Sequence, residues 1–467
     1  MRLNRVLCLL ALACAGAAPA GTGPGRGAIE LSKDEVLPPE IKTSLGEMPG
    51  PDQLPSRPEL PDVMTMNDGT KVTTAGQWEQ RREEMKKILA YYAVGLAPPA
   101  PGNLKGLVEK EQVVGGGKYK YQLIKLTFGP EGKPEACSLE FGLWTPMEGG
   151  PVGVVITQDG SAPGATALPR LPQGVNQGRG QDVFSASLAP LPKEAPVAVA
   201  AGGGRGGRGS DPEAAMNNPV IKHGYAYVTF NSSDCAEDTT ARMPDGTFAF
   251  RTTRFFPAYP DYDWGVLRAW AWGASRIVDY LVTDPAIDKT KIAITGVSRN
   301  GKSSLIAGAF DERFTLVAPV ASSGGGTPAF RYSGFEHGGN EGLSEMVRKY
   351  PNWFSPHLHA FFHQQEKLPF DNHWYLALCA PRAVIALEGL QDQNVNKVGG
   401  RESFLAAEPA FKLLGAEGKL GVNWSTRPHG LVAGDWEGLF GFADKWWGGK
   451  GGGKKFDEFP PAAVRKP

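Results

Sequence analysis

The residues Gly296-Val297-Ser298-Arg299-Asn300-Gly301-Lys302 stand between an apolar run, Lys291 to Thr295, and a segment of helical character, Lys302 to Phe310. A serine on a tight strand-to-helix turn is placed to act as a nucleophile, because the turn projects its hydroxyl clear of the backbone. Its neighbours must be small, and the helix N-terminus behind it offers N–H groups to a developing oxyanion. The spacing departs from G-x-S-x-G at one place: Asn300 fills the second glycine position and Gly301 follows. Asparagine tolerates unusual φ better than most residues, so the turn survives the change. The competing reading is Ser298 as a plain helix N-cap.

A serine nucleophile needs a base, and a base needs an acid to orient it. In a strand-turn-helix setting of this kind the chain order is Ser, acid, His. Of the seven histidines, only His429 lies beyond the last acid-bearing strand, in Arg427-Pro428-His429-Gly430. The acid candidate is Asp392, on the loop past the apolar run Ala383 to Leu387; Glu388, nearer the strand, is the runner-up. Asp392 as a simple turn cap is the bland alternative. Apart from His223, the other histidines cluster between residues 337 and 373. His359 and His363 have the spacing of one helical turn, so metal ligation there is conceivable, but no carboxylate pattern accompanies them and packing is the stronger reading. No metal or other cofactor is implied.

The elements that must carry these residues alternate. Val152 to Thr157, Tyr225 to Phe230, Lys291 to Thr295, Thr315 to Val320, Ala383 to Leu387 and Val422 to Thr426 read as strands. Gln77 to Tyr92, Trp264 to Val282, Lys302 to Phe310, a segment around Pro409 to Leu414, and Trp436 to Trp447 read as helices. Short apolar strands alternating with helices predict an α/β fold with a mostly parallel central sheet and helices on both faces, the three-layer α/β-hydrolase architecture.

Composition limits the partners. Over 467 residues, 49 Lys+Arg balance 49 Asp+Glu, which argues against a nucleic-acid binder. No apolar run reaches the roughly 20 residues that span a bilayer. Residues 1–20 read as a cleaved signal peptide, with Arg2 and Arg5 before an apolar stretch and Ala18-Pro19-Ala20 at the cut, so the expected location is secreted or periplasmic. Cys14 as a lipidated residue is the alternative, though Ala11-Leu12-Ala13 before it fits poorly. Residues 21–54 are expected to be flexible, 55–447 to form one catalytic domain with a surface insertion at about 165–212, and 448–467 to be a flexible tail. The insertion carries Arg-Gly repeats, which can bind RNA; a flexible surface loop is the preferred reading for a secreted chain. Three widely spaced cysteines in the mature chain allow at most one disulfide.

GVSRNGK resembles the serine signature of the glucuronoyl esterases, carbohydrate esterase family 15. Further segments are similar to that family in order: LPDVMTMNDGTKVTTAGQWEQRREEMKKILAYYAVGLAPP, WGVLRAWAWGASRIVDYL, DERFTLVAP, YPNWFSP, LPFDNHWYLALCAPRAVIAL and PHGLVAGDWEGLFGFADKWW. The resemblance covers roughly residues 55 to 447. It implies a secreted serine esterase that cleaves the ester between (4-O-methyl)glucuronic acid of xylan and lignin alcohols. Ser298 would be the nucleophile, His429 the base, and Arg299 an oxyanion contact. Lys302 would meet sugar hydroxyls, and Glu341 falls near the polar sugar-binding segment. Trp353 and His359 match motif positions with packing roles. The expected partner is a carbohydrate ester, with no nucleic acid and no membrane span, and a monomer is expected.

Three departures from the family pattern stand out. Ala321-Ser322-Ser323-Gly324 has no carboxylate where fungal members carry a Glu, which throws the acid role onto Asp392 as in bacterial-type members. Gln393 and Asn394 stand where the family has a sugar-stacking Trp, which keeps another carbohydrate ester, such as acetyl-xylan, open as substrate. Val297 replaces a cysteine before the nucleophile, so the fungal disulfide to the His loop cannot form. A catalytically silent carbohydrate-binding homologue and a metalloesterase using His357, His359 and His363 are the remaining alternatives.

Overall fold

The computed structural model describes residues 41–158, 160–171, 211–333, 341–448 and 453–460. The proposed signal peptide, residues 21–40, most of the 165–212 insertion and parts of the tail lie outside the described residues. Nine strands form one sheet: β1 Lys105–Val114, β2 Tyr119–Phe128, β3 Cys137–Pro146, β4 Val152–Thr157, β5 Ala226–Phe230, β6 Ile287–Val297, β7 Leu316–Val320, β8 Ala383–Gly389 and β9 Leu420–Ser425. Their order is β1-β2-β3-β5-β4-β6-β7-β8-β9. Strands β1, β2, β3 and β5 pair antiparallel in sequence along the sheet. From β5 through β4, β6, β7, β8 and β9 every pairing is parallel.

The longer helices are α1 Ala75–Ile88, α2 Val266–Leu281, α3 Arg299–Phe310, α4 Leu343–Lys349, α5 His373–Cys379, α6 Lys397–Leu413 and α7 Ala433–Trp446. Helix α1 starts with a capping box: the Gln77 amide donates to Thr74 Oγ1 at 3.2 Å and Gln77 Oε1 accepts from the Thr74 amide at 3.2 Å. Alternate residues of the parallel strands serve different layers. Val154, Ile156, Ile292, Ile294, Val317, Val384 and Ala386 pack with α1, α2, α3, α5 and α6. Val155, Ala293, Leu316, Ala318, Ile385 and Leu387 pack with Leu439, Phe440, Phe442 and Ala443 of α7. Both faces of the sheet are therefore covered, and the expected three-layer arrangement is the one observed. Each fully buried Ile or Leu contributes about 1.5–3 kcal/mol by leaving water, which makes this double burial the main anchor of the strand ends that carry the site.

The antiparallel end is where the sequence reading falls short. None of β1, β2 and β3 was expected as a strand. All but the last residue of β1 are exposed, so this edge strand needs no apolar alternation. Lys120 and Lys125 interrupt β2 although most of its side chains are buried. The remaining signal was the turn: Gly115, Gly116 and Gly117 all take positive φ between β1 and β2.

Two segments expected to be flexible make defined contacts. Tyr92 donates its hydroxyl to the Pro49 carbonyl at 2.7 Å, and Leu45, Met48 and Leu54 pack on the main core. In the tail, the Val422 amide of β9 donates to the Phe456 carbonyl at 2.6 Å and Trp424 Nε1 donates to the Glu458 carbonyl at 3.1 Å. Phe456 is buried, so residues 453–460 cover the free side of β9. Among the described residues no helix is long and apolar enough to cross a membrane.

Candidate active site

Strand β6 ends at Val297 and α3 begins at Arg299, leaving Ser298 alone on the turn. Its backbone has φ 61° and ψ −119°. A side chain other than glycine holds such a conformation at a cost of about 1–3 kcal/mol, and only where its surroundings enforce it. Here the Ser298 amide donates to the Val320 carbonyl of β7 at 2.8 Å, and the Ser298 carbonyl accepts from the Lys302 amide at 3.0 Å. Ser298 sits at the N-cap position, yet its side chain makes no capping hydrogen bond. The plain N-cap reading therefore lacks the contact it requires.

The glycines on either side explain the turn's tightness. A Cβ on Gly296 would lie 2.7 Å from Asn300 Cβ, and one on Gly301 would lie 2.7 Å from the Val320 carbonyl oxygen. Gly301 is thus the residue that lets α3 approach β7, and position 300 is free to carry a side chain. Asn300 uses it: Nδ2 donates to the Gln158 carbonyl at 3.2 Å, and Oδ1 accepts from the Ser232 hydroxyl at 3.0 Å. The departure from G-x-S-x-G ties the elbow to the loops after β4 and β5.

Asp392 and His429 come together across two loops that follow the neighbouring strands β8 and β9. His429 Nδ1 lies 2.7 Å from Asp392 Oδ2. Burial opposes ionisation of Asp392, but hydrogen bonds from His429 and from the Asn394 amide outweigh it and hold its carboxyl below the usual range. The ionised carboxylate accepts, so Nδ1 carries the proton and Nε2 is left as the basic nitrogen. The two loops are laced together: the Leu390 amide donates to the Ser425 carbonyl at 2.9 Å and the Gln391 amide to the Arg427 carbonyl at 3.1 Å. Beneath His429, buried Arg427 pairs with buried Asp435 at 2.6 Å and donates to the Leu387 carbonyl at 3.0 Å. Asp435 also accepts from the Ser425 hydroxyl at 2.8 Å and the Val432 amide at 2.9 Å, closing both ends of the His429 loop.

The runner-up acid faces elsewhere. Glu388 Oε1 accepts from the Thr327 hydroxyl at 3.0 Å, and complete burial pushes its carboxyl up to about 8. Thr327 in turn receives the Ser322 side chain, with the Thr327 amide donating to Ser322 Oγ at 3.0 Å. The position after β7 is therefore a hydrogen-bonded loop, with Ala321 and Ser323 at positive φ, that Glu388 braces from below.

Both cations of the elbow helix are paired. Arg299 forms an ion pair with Asp238. Lys302 Nζ lies 3.2 Å from Glu341 Oε2 with its own side chain buried, so the two sugar-contact candidates do meet. Burial lowers the Lys302 ammonium, whereas the Asp238 carboxylate overcomes the burial of Arg299 and raises its guanidinium. Asp238 has further donors: Trp353 Nε1 at 2.7 Å and Asn352 Nδ2 at 3.0 Å, both to Oδ1. The Trp353 ring stacks on Tyr350 at 3.7 Å between centroids and lies within 5.4 Å of the Arg299 guanidinium and 5.6 Å of Lys302 Nζ. Asp238 and Asn352 were not singled out from sequence. Asp238 lies in a loop without periodicity, and only the YPNWFSP segment, which contains Asn352, marked this side of the site.

Among the described residues the histidine cluster does not assemble, and His337 lies outside them. His357 stacks on Tyr91 at 4.0 Å, His359 is buried, with burial pushing it down to about 4, and His363 lies 3.3 Å from the Ser344 hydroxyl. The helical turn expected between His359 and His363 ends at Phe361, so they do not share a helix face. Among the described residues no group of three or more His, Cys, Asp or Glu could hold a metal ion. Cys137, Cys235 and Cys379 are buried free thiols.

The chain has recognisable relatives. A family model described as glucuronyl esterase, fungi, matches residues 182–415, half of the chain. A carbohydrate esterase, MZ0003, from an unknown prokaryotic organism is 29% identical over 414 residues, spanning 82% of this chain and 89% of its own length. The 4-O-methyl-glucuronoyl methylesterase of Hypocrea jecorina is 29% identical over 386 residues, spanning 80% of this chain and 66% of its own length. A solved glucuronoyl esterase of carbohydrate esterase family 15 from Caldicellulosiruptor kristjansonii superposes with a TM-score of 0.61 at 27% identity, over 87% of this chain and 95% of that one. With its α/β-hydrolase sheet and a serine elbow, the chain belongs to the glucuronoyl esterases of carbohydrate esterase family 15 and is a carboxylic ester hydrolase of that type.

Proposed function

We propose that this protein is a secreted serine esterase that hydrolyses the ester between (4-O-methyl)glucuronic acid on xylan and a lignin alcohol. The observation that carries the reading is the His429–Asp392 contact of 2.7 Å on the loops after β9 and β8, with Ser298 on the elbow of the same sheet. The relatives named as 4-O-methyl-glucuronoyl methylesterases support the uronate half of the substrate. Residues 1–20 support secretion by their signal-peptide pattern.

In this mechanism Ser298 Oγ attacks the ester carbonyl carbon while His429 Nε2 takes the hydroxyl proton. The carbonyl oxygen becomes an oxyanion held by N–H groups at the start of α3 and by Arg299. As the C–O bond to the alcohol breaks, His429 returns the proton to the departing oxygen. Water, deprotonated by His429, then attacks the acyl-enzyme and releases the uronic acid and Ser298. Asp392 keeps the imidazole in the right tautomer and stabilises the imidazolium. Lys302 and Glu341 hold sugar hydroxyls.

Initial rates on the benzyl ester of glucuronic acid and on an acetylated xylo-oligosaccharide test the substrate assignment, with Ser298→Ala as the blank. A strong preference for the glucuronate ester is expected and means that the Trp absent at Gln393 and Asn394 is dispensable. A preference for the acetyl ester overturns the uronate assignment and makes the enzyme a deacetylase on the same machinery.

A further inference from the structure

Hydrolysis of a uronate ester changes the charge of the group beside the nucleophile. The substrate acyl group is neutral, and the product is a carboxylate. Xylan also presents uronic acids that were never esterified, and these differ from substrate only by that charge. An unpaired guanidinium next to the reacting carbonyl would hold such carboxylates through two charge-assisted hydrogen bonds, the strongest geometry available to arginine. Product would be retained and free acid would compete.

The elbow helix offers no unpaired cation of this kind. Arg299 is matched by Asp238 and Lys302 by Glu341. Asp238 is also fixed in place, since Oδ1 accepts from Trp353 Nε1 and Asn352 Nδ2 while Oδ2 meets Arg299. The carboxylate is the buried partner, at 11% side-chain exposure against 36% for Arg299. The guanidinium thus keeps an accessible side while its charge is compensated from behind.

We propose that Asp238 is a specificity-determining residue that makes the enzyme prefer esterified over free uronic acid by neutralising Arg299. Resting on the uronate-ester reading above, the assignment separates two properties of Arg299. Its N–H donors remain directional and act at short range on the transition-state oxyanion. Its longer-range attraction for a ground-state carboxylate is cancelled by the fixed negative charge. Some oxyanion stabilisation is given up in exchange for release of the anionic product.

The test measures KM for benzyl glucuronate and the competitive Ki of free glucuronic acid, in wild type, Asp238→Asn and Asp238→Glu. Asparagine keeps an oxygen that can accept from Trp353, and glutamate restores the charge. In Asp238→Asn the ratio of KM for the ester to Ki for the acid should rise about tenfold, the gain should shrink as salt is added, and Asp238→Glu should return toward wild type. A ratio within twofold of wild type overturns the assignment. A second measurement needs no variant: the wild-type Ki for the acid should change less than twofold between low and high salt, and a steep salt dependence contradicts a neutralised Arg299. Failure of the wild type to turn over benzyl glucuronate would sink the functional reading itself, whereas turnover with an unmoved ratio sinks only the role of Asp238.

Discussion

His429 Nδ1 and Asp392 Oδ2 stand 2.7 Å apart although 37 residues separate them, because β8 and β9 are parallel neighbours whose following loops leave the sheet on the same side. In the proposed mechanism this contact makes Asp392 the acid. Asp392→Asn should lower kcat on benzyl glucuronate by about 10³–10⁴-fold with little change in KM, since the amide favours the wrong imidazole tautomer. Glu388→Gln should leave kcat within a few-fold, its carboxyl being engaged with Thr327. If Glu388→Gln proves the more damaging of the two, the acid has been misassigned.

Glu388 gives a pH-dependent signature in stability. Its carboxyl titrates at about 8 when folded against 4.5 when free, so between those values the folded chain binds a proton that the unfolded chain does not. Stability contributed by this group is therefore complete below 4.5 and is lost as pH rises toward 8. Glu388→Gln, which can still accept from Thr327, removes that slope. Thermal melts should show the Tm of the variant gaining on wild type from pH 5 to pH 8; a constant difference across that range would refute the buried-acid account.

The elbow makes a steric prediction. Gly301→Ala places a methyl 2.7 Å from the Val320 carbonyl oxygen, between two elements that cannot easily separate. Urea unfolding should register a loss of about 1–3 kcal/mol, with a fall in kcat as Ser298 shifts. Asn300→Gly restores the commoner spacing but removes the contacts to Gln158 and Ser232. It should fold, and a gain in stability would show those contacts to be dispensable.

Arg427 and Asp435 form a buried pair under the His429 loop. Arg427→Ala strands a buried carboxylate and should cost roughly 3–5 kcal/mol by denaturant titration. Loss of less than about 1 kcal/mol would mean that the pair does not anchor the loop.

Ser298 and Asp392 could be read from the chain because each follows a strong apolar run. Ile292 to Ile294 are fully buried and lead to Ser298, and Val384 to Leu387 lead to Asp392, whereas His429 follows the more polar β9 and was found by its place in the chain order. Strands buried on both faces must be apolar, and their ends are visible for that reason. The edge strand β1 escaped because its exposed side chains obey no such rule, and β2, paired on both sides, escaped because Lys120 and Lys125 interrupt its pattern. Asp238 escaped for a different reason: its role depends on Arg299, 61 residues away, and on Trp353, 115 residues away, with no local pattern to announce the meeting. Lys302 and Glu341 were legible only through resemblance, and Asn300 read as a tolerated departure from the spacing until its contacts to Gln158 and Ser232 gave it a purpose.

The central claim is that Ser298 performs nucleophilic hydrolysis of a glucuronate ester. Release of benzyl alcohol from benzyl glucuronate by wild type and by Ser298→Ala tests it directly, with labelling by a fluorophosphonate followed at the Ser298 peptide in the same preparations. Wild type should turn over and label at Ser298, while Ser298→Ala should lose roughly 10⁴–10⁶ in kcat and remain unlabelled. A Ser298→Ala enzyme that retains wild-type turnover would contradict the account.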